Sequence, residues 1–578
     1  MEKEFLNCKL QDVGNVESVD TKKIIVKVSE EDMLNKIKIN DIVILCGDNA
    51  NEKLIGIVTK VSKKRVNQLD EENEEYEDTI YSENYCMITL VGTFYPKFGA
   101  KKKNVFKRAI YTYPEINSIV SLADEGALEI IMNSFDEETT NAHKLVVGKY
   151  ASNKDVNAAL DGNRFFQRHA CIVGSTGSGK SYTVANILEK ANQLPYTNII
   201  VYDLHGEYNE LSYVDPIKIC DEPAGLHIPL WFFNYEEIHS LFIESSEGTS
   251  TNQRAAVIDF ILSEKKKYID NNRKDITSDV VTADTPVPFS AHLLKNYLEE
   301  QNQKEEKTGE IIKSGVNAGQ EKTRQGQYYN KLTNLITRLQ TKMDDKKYGF
   351  IFNEAGTQVD TYLNSFAERI LGNACGKRIK VIDLSEVPAD MLSIVIGIVT
   401  RIVYDIQFWM SPGKDETRHP LAFVCDEAHI YMTNDMSKMR AVERKSLEIF
   451  ERISKEGRKY GIALLIVSQR PAELNTTIIS QCNNIVSLKI TNERDKSAVG
   501  TMLTDTLVGL VDTLPNLDVG ECIVVGDSIK LPMKIKLDEP VEKPKSNTID
   551  FWNRWSDANN TVFDIDGAVK SLILQSRI

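Results

Sequence analysis

Residues 168–181 read Arg168-His-Ala-Cys-Ile-Val-Gly-Ser-Thr-Gly-Ser-Gly-Lys-Ser181, and this stretch decides the fold. A short apolar strand pattern runs into glycines and then into a helical pattern. Residues 174–181 fill every fixed place of the phosphate-loop pattern G-x-x-x-x-G-K-[ST]. Glycines let backbone N–H groups turn toward a phosphate, and the positive N-terminal end of the following helix attracts the same group. A glycine turn without a ligand is the alternative, but the flanking strand and helix favour a nucleotide site.

The loop assigns roles to individual side chains. Lys180 would reach the β- and γ-phosphates of ATP, and the Ser181 hydroxyl would ligate Mg²⁺. The candidate nucleotide-binding residues are Gly174, Ser175, Thr176, Gly177, Ser178, Gly179, Lys180, Ser181 and Tyr182.

The whole chain has the composition of a globular protein that is too long for one core. Its 578 residues are 42% hydrophobic and 27% charged, which predicts about two to four domains. The 70 Lys and Arg against 84 Asp and Glu give a net charge of −14, so we expect nucleic-acid contact only at a local basic lining. Nine cysteines without a C-x-x-C pair argue against a disulfide framework or a zinc site. With no signal peptide at the start and no apolar run long enough to span a bilayer, we expect a cytoplasmic protein without membrane contact.

Residues 1–140 are predicted to form a small β-barrel, because short β-branched runs alternate there with Gly, Asn and Asp turns. An acidic run at 70–78 is interpreted as a solvated loop, with a partner-binding patch as the alternative. A basic run at 101–108 is interpreted as a hairpin tip, and contact with a phosphate backbone is the alternative.

The remainder alternates strands and helices, which predicts an α/β domain with a parallel sheet covered on both faces. The expected ATPase core covers 141–234 and 348–515, with a helical insertion at 235–347. Within the insertion, 299–325 is low in apolar residues and is predicted to be mobile. Residues 516–578 are expected to hold a hairpin, whose turn begins at Gly526, and a polar tail.

Two carboxylates follow an apolar strand pattern at Asp426-Glu427, where an α/β sheet places its ligand crevice. One carboxylate suffices to hold Mg²⁺ through water, and we assign this role to Asp426. Glu427 is then available to orient or deprotonate the water that attacks the γ-phosphate. The pair therefore indicates hydrolysis rather than nucleotide storage.

Other polar residues follow neighbouring strand patterns. Asp203 and Glu207 are candidates for water positioning or metal support, and capping of the next turn is the alternative for Asp203. Gln469 ends a strand from which an amide can sense a γ-phosphate, with a hydrogen-bonded strand terminus as the alternative. Arg458 ends a helix, where a cation commonly pairs with the helix dipole, but a ring ATPase also needs an arginine supplied by a neighbouring subunit. His429 lacks metal-ligand companions and is interpreted as a hydrogen-bonding residue.

The order of these motifs resembles the HerA-type ATPases of the HerA/FtsK group. The resemblance rests on the barrel, the phosphate loop, Asp203-Leu-His-Gly-Glu-Tyr, Ile382-Asp-Leu-Ser, Asp426-Glu-Ala-His, Glu456-Gly-Arg-Lys-Tyr-Gly and Ser468-Gln-Arg-Pro. It implies a RecA-like core in a homohexameric ring that hydrolyses ATP and moves double-stranded DNA through its pore. It also implies a sensor role for Gln469, a trans finger role for Arg458, and a second nucleotide-proximal arginine at Arg168.

The resemblance further implies a separately encoded effector docked on the barrel side. In bacterial relatives this partner is a nuclease or a sirtuin-like NADase of antiphage defence, whereas archaeal members act with a nuclease in DNA end resection. The Lys/Asn/Ile/Glu-rich composition and the polar insertion favour the defence setting. A ring that serves mainly as an ATP-switched scaffold for a partner enzyme is the alternative to a motor.

Overall fold

The computed structural model describes most of the chain. The described residues are 8, 10–46, 52–67, 80–96, 104–133, 144–151, 153–222, 224–244, 247–312, 320–372, 376–410, 419–437, 439–503, 508–546, 551–556 and 564–574. The acidic run at 70–78 and the first three residues of the basic run at 101–108 lie outside them.

Twenty strands and seventeen α-helices are assigned within these residues. The strands are β1 (Gln11–Val19), β2 (Ile24–Val28), β3 (Ile42–Cys46), β4 (Lys53–Asn67), β5 (Ile80–Tyr95), β6 (Val105–Lys107), β7 (Ile119–Leu122), β8 (Lys144–Tyr150), β9 (Asn153–Asp161), β10 (Ala170–Val173), β11 (Ile199–Asp203), β12 (Val214–Lys218), β13 (Glu305–Ile311), β14 (Glu321–Gln325), β15 (Ile379–Asp383), β16 (Leu421–Cys425), β17 (Ile462–Ser468), β18 (Asn484–Ser487), β19 (Glu521–Gly526) and β20 (Met533–Leu537). The helices are α1 (Glu31–Lys36), α2 (Glu125–Asn133), α3 (Gly162–Gln167), α4 (Lys180–Asn192), α5 (Tyr235–Phe242), α6 (Ser250–Asn272), α7 (Ala291–Gln303), α8 (Thr333–Asp344), α9 (Gly349–Phe352), α10 (Thr361–Leu371), α11 (Ala389–Trp409), α12 (Ala441–Glu456), α13 (Thr476–Ile479), α14 (Glu493–Met502), α15 (Val508–Val511), α16 (Phe551–Ser556) and α17 (Ile565–Leu574).

The chain divides into two compact units. The first comprises Met1–Gln193, Leu465–Ala472 and Ile479–Val541, and the second comprises Leu194–Leu464, Glu473–Ile478 and Glu542–Ile578.

The first unit begins with the predicted barrel. Its six strands follow the order β2-β1-β7-β3-β4-β5, and antiparallel pairing of β2 with β5 closes the barrel. Strand β6 pairs with the last residues of β5, Thr93 to Tyr95. Closure leaves no unpaired edge among the six strands. The interior is filled by β-branched and leucine side chains, including the fully buried Val26, Val43 and Leu54. The barrel prediction is therefore confirmed.

The first unit also carries the strand that leads into the phosphate loop. Strand β10 pairs in parallel with the end of β17 on one side and with β18 on the other. Strands β18, β19, β20, β8 and β9 continue outward in antiparallel pairs. The C-terminal hairpin is thus confirmed, but its strands are joined by residues 527–532 rather than by a tight turn at Gly526.

The second unit contains parallel strands in the order β12-β15-β11-β16. Every residue of β11 and β16 is buried, as expected for strands that are covered on both faces of the sheet. Helix α11 is long and apolar enough to cross a membrane by length and composition alone, so the expectation that no apolar run reaches that length is wrong. Most of this helix is buried inside the protein, as in a core helix.

The predicted insertion contains the helices α5, α6, α7 and α8 that the apolar spacing indicated. It also contains an antiparallel hairpin of β13 and β14, where we expected a mobile segment. Cross-strand ion pairs such as Arg324 with Glu306 join the hairpin's exposed side chains. Period-two apolar alternation is absent from both strands, so the sequence carried no strand signal there.

Candidate functional site

The phosphate loop lies between β10 and α4 in the first unit. Gly177 and Gly179 have φ angles of 75° and 104°, a backbone conformation that side chains with a Cβ rarely adopt. Helix α4 begins at Lys180, and its N-cap residue Gly179 makes no side-chain cap hydrogen bond. A phosphate supplies oxygen acceptors for N–H groups at the start of a helix, and the loop backbone therefore fits a nucleotide.

Two side chains of the loop support the same interpretation. Lys180 is 9% exposed, and its ammonium donates to the carbonyl oxygens of Gly174 and Ser175, at 3.1 and 3.3 Å. These carbonyl oxygens are neutral acceptors. Charged phosphate oxygens would form stronger hydrogen bonds with the ammonium and would replace them. The Ser178 hydroxyl is buried and has no hydrogen-bond partner among the described residues. Ser181 and Tyr182 follow in the first turn of α4.

Gln469 lies against this loop. It follows β17 directly, and because β17 pairs with β10 the ends of both strands lie side by side. The Thr176 hydroxyl donates to Gln469 Oε1 at 2.6 Å. The structure therefore brings the predicted sensor into contact with the phosphate loop, which sequence spacing alone could not establish.

The second unit gathers carboxylates at the ends of β16 and β11. Asp426 is 5% exposed, and burial raises its pKa to about 8, with the nearby charges of Glu427, Glu207 and Asp203 acting in the same direction. The Tyr208 hydroxyl donates to Asp426 Oδ2 at 3.3 Å. Carboxylate oxygens are the ligand type that Mg²⁺ prefers, and a bound cation would reduce the repulsion between the neighbouring carboxylates. The described residues hold no group of three or more metal-ligating side chains, so a magnesium ion here would be held by the single carboxylate of Asp426 and otherwise by water or phosphate oxygens.

Glu427 has an unusual backbone. Its φ and ψ are 44° and 42°, the left-handed conformation that is uncommon for residues other than glycine. Its carboxylate lies 3.3 Å from His429 Nδ1. This is an ion-pair distance, and Glu427 Oε2 has no hydrogen-bond partner among the described residues, so the interpretation of His429 as a hydrogen-bonding residue stays a prediction.

Asp203 caps the turn that follows β11. Its Oδ1 accepts the backbone N–H groups of His205, Gly206 and Glu207 at 3.2, 2.9 and 3.1 Å, and its Oδ2 accepts that of Tyr208 at 2.9 Å. The structure supports the capping alternative for this residue. The cap places Tyr208 against Asp426. The sequence did not predict this contact, and the only signal for it was the position of Tyr208 as the last residue of the motif Asp203–Tyr208.

The two candidate arginines lie on the surface in different units. Arg458 is exposed in the 3₁₀ turn Gly457–Tyr460 that follows α12. Its side chain makes no hydrogen bond or ion pair with another described residue. Arg168 follows α3, is 41% exposed, and lies 3.9 Å from a carboxylate oxygen of Asp527 through its Nε.

Comparison with known proteins agrees with the motif order. The family described as "Helicase HerA, central domain" matches residues 145–403. A Methanocaldococcus jannaschii protein named as a probable helicase is 27% identical over 69% of this chain and 67% of its own length. The DNA double-strand break repair helicase HerA of Sulfolobus acidocaldarius is 26% identical over 78% of this chain and 79% of its own length.

Solved structures give weaker matches. VirB4 of Thermoanaerobacter pseudethanolicus is 17% identical over 70% of this chain and 98% of its own, with a TM-score of 0.44. The phosphate loop, the parallel strands and the acidic pair after β16 are those of a P-loop ATPase. The central part of the chain matches the HerA family, and HerA helicases are among the proteins that it resembles.

Proposed function

We propose that the chain is a DNA-translocating motor that hydrolyses ATP as a homohexameric ring with double-stranded DNA in its pore. The observation that carries the proposal is the hydrogen bond between Thr176 and Gln469. It links the phosphate loop to the end of a neighbouring strand, so a change at the γ-phosphate can be passed to the sheet. The relatives named as DNA repair helicases support DNA as the substrate.

Each catalytic role falls to a residue already described. Lys180 neutralises the β- and γ-phosphates, and Ser181 and Asp426 hold Mg²⁺, which when bound offsets phosphate charge. Glu427 orients or deprotonates the attacking water, and its αL backbone fixes the direction of its carboxylate. Gln469 senses the γ-phosphate through Thr176. Arg458 of one subunit, and Arg168, stabilise the charge that develops in the transition state.

We further propose a separate effector docked on the barrel side, either a nuclease or a sirtuin-like NADase, in antiphage defence. This setting rests on the family resemblance and on composition, whereas the named relatives support DNA repair as the other setting. Phage plating efficiency on cells carrying the chain with its neighbouring genes tests the choice. Protection that is lost with Glu427→Gln supports defence, and unchanged plating with raised sensitivity to DNA breaks supports repair.

The sensor assignment is tested by Gln469→Leu, which removes the amide at similar size. We expect ATP affinity within about threefold of the wild type and a kcat at least tenfold lower, because the lost contact acts in the hydrolytic step. Gln481→Leu, at an exposed position, is the matched control. A Gln469→Leu protein with the wild-type kcat would contradict the sensor role of Gln469.

A further inference from the structure

An arginine beside the barrel holds the loop that joins β19 to β20. Arg108 follows β6 immediately, and its side chain is 40% exposed. Its Nε donates to the carbonyl oxygen of Lys530 at 3.2 Å, and its Nη2 donates to the carbonyl oxygens of Gly526 and Ile529. The planar guanidinium has donors in a fixed fork, so a single side chain fixes three carbonyl groups of one loop.

The same loop faces Arg168. Asp527 lies between two guanidinium groups, with one carboxylate oxygen 3.9 Å from Arg168 Nε and the other 3.9 Å from Arg108 Nη1. Ion pairs that are this exposed contribute little free energy by themselves. The position of Arg168 must therefore depend mainly on how its backbone is held.

Two asparagines at the start of β18 hold that backbone. The Asn483 N–H donates to the carbonyl oxygen of Arg168 at 3.0 Å. The fully buried Asn484 donates through Nδ2 to the carbonyl oxygens of Arg164, Phe165 and His169, at 2.9, 3.3 and 3.3 Å. These carbonyls lie on both sides of Arg168 in the sequence, so the two asparagines fix the turn that presents it.

Asn484 also connects this turn to the loop held by Arg108. Its Oδ1 accepts the backbone N–H of Ser528 at 2.8 Å. On the other side of the loop, the Ser528 carbonyl accepts the N–H of Asp161 at 2.7 Å. Because these hydrogen bonds of Asn484 are largely buried, a shift of the loop must move Asn484 or break its bonds.

We propose that Arg108 is a positioning residue for ATP hydrolysis, which fixes the β19–β20 loop and through Asn484 and Asp527 orients Arg168. The inference rests on the proposed function, in which Arg168 acts near the nucleotide. It makes the rate of the ATPase depend on a residue that follows β6, next to the barrel. Nothing in the phosphate-loop motif itself requires such a residue.

The test compares Arg108→Gln with Lys107→Gln, its exposed neighbour at the end of β6, in the full-length protein. We expect Arg108→Gln to lower kcat on the order of tenfold with KM for ATP within about twofold, because misplacement of a transition-state group affects the chemical step. Arg108→Lys recovers part of the rate, since an ammonium can donate to some of the same carbonyls. In an Arg168→Ala background, Arg108→Gln lowers kcat by less than about twofold.

Three results would overturn the positioning role. The first is an unchanged kcat in Arg108→Gln, and the second is a full tenfold loss in the Arg168→Ala background as well. The third is an Arg168→Ala protein with wild-type kcat, which refutes the positioning role while the ATPase itself stands. A wild-type chain that does not hydrolyse ATP at all instead refutes the proposed function. Melting temperatures of all variants show whether a rate loss comes from unfolding.

Discussion

At the residue scale, the backbone of Glu427 shows how the site departs from ordinary secondary structure. A left-handed residue other than glycine costs about 1–2 kcal/mol, and such cost persists where the surroundings hold the residue in place. Here the preceding strand β16 and the 3₁₀ turn at Ala428–Ile430 enclose it. The cost is what we expect at a residue whose carboxylate must point in one direction.

This strain predicts an inverted order of stability. Glycine adopts φ of 44° freely but loses more chain entropy on folding than alanine. The free energy of unfolding of Glu427→Gly should therefore be higher than that of Glu427→Ala by roughly 0.5 to 1 kcal/mol. The higher melting temperature of the glycine variant is the measurement. At Glu448, exposed in α12, the same pair should show the reverse order, because glycine disfavours helices. Alanine more stable than glycine at both positions would show that Glu427 is not strained.

The site residues that the sequence predicts without alternatives are those that depend on local pattern, and their roles stay predictions. Lys180 and Asp426 follow from a glycine loop and from a strand end, which neighbouring residues determine. Roles that depend on contacts across the fold were not accessible. The sequence could not decide between capping and metal support for Asp203, because the answer depends on four backbone N–H groups that bond to its carboxylate. It also indicated no partner for Tyr208, because that partner is the carboxylate of Asp426, which is distant in the sequence.

At the element scale, apolar periodicity predicted the barrel strands, the parallel strands and the insertion helices. It failed for β13 and β14, whose exposed polar faces carry no apolar alternation. It also gave the terminal hairpin too short a turn, because the longer loop is held by Arg108, which is more than four hundred residues away in sequence. Long-range side-chain contacts of this kind leave no local signal.

Helix α6 contains a buried lysine that predicts a pH dependence of stability. Lys265 is fully buried, donates to the carbonyl oxygens of Ala283 and Thr285 at 2.6 and 2.7 Å, and has a pKa lowered to about 7 by burial. In the unfolded chain the ordinary value is about 10.4, so between these two pH values the unfolded state binds the extra proton. Stability therefore rises with pH across this window.

Lys265→Met removes the titrating group and should flatten this dependence. As the pH rises from 7 to about 9.5, the melting temperature of the wild type should increase relative to that of Lys265→Met. Lys266→Met, at an exposed position on the same helix, should follow the wild-type profile. Parallel profiles for the wild type and Lys265→Met would show that the buried lysine keeps its proton throughout.

At the scale of the whole molecule, the net charge of −14 means that DNA binding must come from a local basic surface. In our proposal, the ring would provide such a surface at its axis and would place Arg458 of one subunit beside the nucleotide of the next. The proposed motor therefore depends on assembly.

Mixing two inactive variants tests this dependence on assembly. Arg458→Ala should bind ATP but lose most of its hydrolysis, on the order of a thousandfold if the arginine acts as a trans finger. Adding Glu427→Gln protein should restore part of the rate, because some interfaces then combine an intact Arg458 with an intact Glu427. Lys459→Ala, the exposed neighbour, should hydrolyse ATP normally. Failure of every mixing ratio to restore hydrolysis would contradict a role across subunits.

The most direct test of the motor is the ATPase rate of the purified chain with and without linear double-stranded DNA, at low salt because phosphate contacts weaken as salt rises. The account predicts several-fold stimulation by DNA that is absent in both Lys180→Ala and Glu427→Gln. A rate that is the same with and without DNA would contradict the motor and favour a ring that serves as a scaffold for its partner.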